Sequence, residues 1–130
     1  MKWQKVYDLA DDTRRITLVQ KATVETEDYG LVPEIALYGT KEWWNAIANG
    51  RIDRLQIEGR ISRVYMSGHN DWPEFEVESD GEKTSWTRCG DDSQYKVGRR
   101  VRIEYVWQKA KKAWAGSNHQ KEVLRIFIEC

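Results

Sequence analysis

The chain has 130 residues, 40% hydrophobic and 32% charged, and its 21 cations balance 21 acids to no net charge. That length suits one domain, or one domain with an extension, and leaves enough apolar residues for a core. The charge balance excludes a uniformly basic nucleic-acid binder but allows a local basic patch.

The opening stretch, MKWQKVYDLADDTRR, has no apolar run of the secretory kind, and no segment approaches the ~18 apolar residues of a membrane helix. A cytoplasmic chain with no membrane partner is expected. Cys89 and Cys130 are too few and too far apart for a zinc site and are expected as free thiols. KWQKVYDL reads as a short strand. RRITLVQKATVE alternates, with Ile16, Leu18, Ala22 and Val24 on one side, and reads as a strand. After the turn EDYG, LVPEIALYG reads as a second strand, with Ile35 and Leu37 on one face and Pro33 near its start. GTKEWWNAIANGRI then predicts a short helix, with Thr40 as N-cap, Glu42 in the first turn and Gly50 as the stop.

From Leu55 onward the pattern is all strand. In LQIEGRISRVYM the apolar parity flips after Arg63, to Val64 and Met66, which predicts a bulge in a long strand. EFEVESDGEKTSWT predicts a hairpin about Asp80-Gly81, pairing Glu78 with Lys83, Val77 with Thr84 and Phe75 with Trp86. GRRVRIEYVWQ places Val101, Ile103, Tyr105 and Trp107 on one inward face. A polar loop follows from about 109 to 120, and KEVLRIFIEC closes the chain as a strand.

This strand order resembles the OB fold, the oligonucleotide/oligosaccharide-binding barrel. The resemblance implies a mostly β chain: a five-stranded OB-like barrel over about 54–129, with an N-terminal β-strand pair and one short helix. Residues 1–53 would pack on the barrel as strands plus helix, and 54–130 would be the barrel itself. The link CGDDSQYKVG is too short for the helix that often stands between the third and fourth barrel strands.

Between Lys96 and Lys112 there are seven cations against one acid, Glu104. The OB resemblance places the loops 67–73 and 109–120 at one end of the barrel, each with a tryptophan. Single-stranded nucleic acid or another polyanion is therefore expected on Arg99, Arg100, Arg102, Lys109, Lys111 and Lys112, stacked on Trp72 and Trp114, because lysines neutralise phosphate and indoles stack on bases. Against this, residues 71–82 hold six acids and no cation. Glu58 and Arg60 also stand ready to pair with the basic strand. The alternative is a protein-interaction or self-assembly module, in which a charge-split surface and the Trp43/Trp44 region meet a partner or a second copy. An enzyme is not expected. His69 and His119 lack a third metal ligand, and no phosphate loop, catalytic pair or cofactor fingerprint is present, so neither metal nor cofactor is expected.

Overall fold

Asp80 and Gly81 adopt φ of 52° and 81°, the left-handed pair a type I′ turn requires, and the chain reverses there. The computed structural model describes residues 2–27, 29–69, 72–90, 92–114 and 117–129, without the side chains of 112–114, 117 and 118. About that turn β3 (Trp72–Ser79) and β4 (Glu82–Thr87) pair with Glu78 opposite Lys83, Val77 opposite Thr84 and Phe75 opposite Trp86. This is the register read from the sequence. β2 (Leu55–Ser67) pairs with the other side of β3, and its register shifts between Ile61 and Arg63. The shift is the expected bulge. Ile61 is buried before it, and Val64 lies opposite the buried Phe75 after it.

The sheet has six strands in the order β1-β6-β5-β2-β3-β4, with β1 at Trp3–Asp8, β5 at Arg100–Trp114 and β6 at Ser117–Glu129. The mostly β class therefore holds. The five-stranded OB-like barrel does not. Closing five strands over 54–129 would bring β6 against β4. Instead β6 gives that side to β1, with Trp3 opposite Glu129 and Lys5 opposite Phe127, so β1 and β4 are the two edges of an open sheet.

Among the described residues two α-helices form, not one. α1 (Thr13–Glu25) occupies the stretch read as the first strand. Asp12 caps it, accepting from the Arg15 amide at 3.1 Å, and the set Ile16, Val19, Gln20, Thr23 takes the more covered face while Leu18 and Val24 are exposed. Alternating apolar residues fit both periods. The cap and burial at the helical period decided between them. The second expected strand reduces to one bridge, Leu31 with Ala110, flanked by Val32 N–H donating to the Lys109 carbonyl and Lys111 N–H to that of Gly30. Pro33, lacking a donor, ends the pairing. α2 (Lys41–Ala48) is the helix the sequence predicts, capped by Thr40. The predicted 109–120 loop is mostly strand, because pairing along β5 and β6 overrides weak local preference.

By contact the chain groups into two compact units. One comprises Met1–Asp8, Gln56–Glu104 and Arg125–Cys130, and its core contains Ile61, Phe75, Val77, Trp86, Val101, Ile103, Ile126 and Ile128. The other comprises Leu9–Leu55 and Tyr105–Leu124, with Leu9, Leu31, Tyr38, Trp43, Ile47, Val106 and Leu124 buried. Among the described residues no helix is long and apolar enough to cross a membrane.

Candidate interaction site

The basic stretch is largely used by the fold itself. Arg100 pairs with Glu58 at 2.9 Å, the pairing that sequence reasoning allowed between adjacent strands. Arg99 donates to the Gln94 side chain at 3.3 Å. The Arg102 guanidinium lies 5.1 Å from the Trp3 ring and 4.7 Å from the Phe127 ring, packed between two aromatics. Lys111 donates to the carbonyls of Thr23 and Thr26, where α1 leaves its last acceptors unsatisfied. Lys109 is half-buried, and its backbone carbonyl accepts from Val32. The three arginines belong to one unit and Lys109 and Lys111 to the other. Trp72 is 54% exposed at the start of β3, its Nε1 donating to Thr87 at 3.2 Å. The side chains of Lys112 and Trp114 lie outside the described residues.

Part of the acidic row is also answered locally. Glu76 lies opposite Arg63 on β2 and 4.0 Å from the Lys83 ammonium, and Glu78 lies opposite Lys83. The Arg63 guanidinium sits 4.2 Å from the Tyr65 ring, and the Tyr65 hydroxyl donates to Ser85 at 2.8 Å. Glu76 and Glu78 thus each have a cation opposite them on a neighbouring strand.

The feature sequence reasoning missed surrounds Trp107. Val101 and Ile103 are buried as expected, but beyond them Val106, Gln108 and Ala110 turn inward and Trp107 is 50% exposed. The parity changes at Glu104 and Tyr105, where one compact unit gives way to the other. No glycine or proline marks the change, so the alternation in RRVRIEYVWQ extrapolates straight through it. Trp107 lines a groove of about 260 Å³ with Ile35, Ala36, Ile52 and Leu55. Glu34, Asp53 and Gln108 complete its wall, and among the described residues no cation lines it.

A buried polar frame holds the groove. Gln108 accepts from the Trp43 indole at 3.3 Å and donates to the Val32 carbonyl at 3.1 Å, tying α2 and the 31–39 segment to β5. Trp43 is fully buried against Tyr38, with ring centroids 4.8 Å apart, and Trp44 is half-buried edge-on to it. The Trp43 indole is therefore core and presents nothing to a partner. After α2, Gly50 at φ 82° and the Ile52 N–H, which donates to the Ala46 carbonyl, turn the chain, and Ile52, Asp53 and Leu55 line the groove. Elsewhere in this unit Arg15 closes on the buried Glu122 at 2.8 Å. Burial opposes the charge on Arg15, but Glu122 and Tyr38 together outweigh it and hold the guanidinium above its ordinary value.

No curated protein matches the chain. The family model described as immunity protein RhsI2 matches residues 3–130. This match covers nearly the whole chain and replaces two expectations. The kinship is not with OB-fold proteins, and the role is not nucleic-acid binding. The protein-interaction alternative is the one it supports. Immunity proteins are non-catalytic inhibitors, so the absence of catalytic machinery expected from the sequence agrees with the family. The chain belongs to the RhsI2 immunity protein family, and its partner is a protein, the cognate Rhs toxin.

Proposed function

We propose that this chain is a stoichiometric inhibitor that binds its cognate Rhs toxin as a folded protein and neutralises it by occupying its surface. The observation that carries this is the extent of the family match, residues 3–130, which takes in every strand and both helices. Inhibition then belongs to the assembled fold and not to a detachable peptide. Exposed apolar side chains on regular elements support it, Trp72 on β3 and Trp107 on β5 foremost, because aromatic anchors on ordered backbone lose little entropy on binding.

Co-expression tests the reading. Cells producing the toxin should grow when the chain is present and die when it is absent. The toxin should leave a column together with the chain in equimolar amount. Protection without a complex, or no protection at all, contradicts the proposal.

A further inference from the structure

We propose that the Trp107 groove is the docking site for the toxin, and that it takes an apolar side chain flanked by a lysine or arginine on the toxin surface. The inference rests on the inhibitor reading and adds where the contact lies and what chemistry it selects.

Three observations converge. First, Trp107 is half exposed although it stands on a central strand, and Ile35, which lines the same groove, is 44% exposed. Large apolar side chains that share a concavity and remain open to water gain free energy when a partner covers them. Second, the volume is about 260 Å³, below the roughly 300–1,000 Å³ of small-molecule pockets and on the scale of a side-chain anchor. Third, the two charged groups in the wall are both carboxylates. Neither Glu34 nor Asp53 has an ion-pair partner among the described residues. A cation beside the inserted apolar group would meet both, which gives the contact its sign and its specificity. The other exposed indole among the described residues has a weaker claim. Trp72 already bonds Thr87, and Glu76 on the same strand already has Lys83 at 4.0 Å and Arg63 opposite it.

The test is calorimetric titration of purified cognate toxin into the wild-type chain and two variants, at low and high salt. Trp107→Ala should weaken binding about 30-fold or more, the scale of a central aromatic anchor. The double variant E34K/D53K should weaken it about tenfold or more and remove most of its salt dependence. Both alter exposed side chains, and unchanged melting temperatures would confirm intact folds. The lysine variant keeps the proposal testable should the alanine variant not fold. Wild-type affinity in both variants overturns the docking site while leaving the inhibitor reading in place. A wild-type chain that binds no toxin removes that reading and this inference with it.

Discussion

Arg15 reaches from α1 to Glu122 on β6 and meets its carboxylate at 2.8 Å, across 107 residues of sequence. The Glu122 side chain is 1% exposed and also accepts from Gln120 at 2.6 Å. A buried carboxylate without its cation is costly, and the pair in isolation adds little beyond avoiding that cost. Arg15→Met should therefore destabilise the chain by about 2–3 kcal/mol, less than for a fully buried pair because the Arg15 side chain is partly exposed. Glu122→Gln should cost only about 1 kcal/mol. The double variant R15M/E122M should recover much of the loss. Urea melts of the three variants check the order.

Tyr38 and Tyr95 both lose their solvation on folding, and burial pushes each phenol above its ordinary value of 10.0. The negative charge of Glu122 adds to this at Tyr38, while Tyr95 donates to the Cys89 carbonyl. Both hold their protons more tightly folded than unfolded. Their contribution is thus complete below the ordinary value and is lost as pH climbs past it. Stability should fall above about pH 10, and Tyr38→Phe and Tyr95→Phe should each flatten that fall. Urea melts across the alkaline range measure it.

Arg102 was expected to grip a ligand, and it is packed between Trp3 and Phe127 instead. Arg102→Ala should lower stability by about 1–2 kcal/mol through lost stacking and stem packing, and leave toxin affinity unchanged. Comparing the thermal melt with the titration of this variant separates the two roles.

Gly59 lies so close to β3 that a β-carbon would run into the Glu78 carbonyl and press on the Val77 side chain. Gly59→Ala should cost about 2 kcal/mol or more, as overpacking against backbone does. Gly50→Ala has open space, and only its positive φ opposes it, so about 1 kcal/mol is expected. Denaturant midpoints of the pair distinguish crowding from conformational strain.

Local chemistry made the β3–β4 hairpin and the β2 bulge legible. Asp80-Gly81 fixes the turn, and the register that follows sets Phe75 against Trp86 and Glu78 against Lys83. The first helix was not legible from alternation, because Ile16, Leu18, Ala22 and Val24 satisfy a period of two while Ile16, Val19 and Thr23 satisfy the helical one. The signal that could have decided it is Asp12 just before Thr13, where an N-cap belongs. The barrel failed for a different reason. Strand order after Leu55 was right, but which strand pairs with the free side of β6 is a long-range matter, and β1 competes for it from the other end of the chain. Trp107 failed because a parity change on β5 leaves no mark in composition. The partner class was within reach of the sequence as an alternative, and the family match moved it to first place.

Calorimetric titration of the wild-type chain with its cognate Rhs toxin tests the central claim most directly. The account predicts a saturable exotherm or endotherm with one toxin bound per chain and loss of toxin activity over the same molar ratio. A flat titration against an active, folded toxin would contradict it.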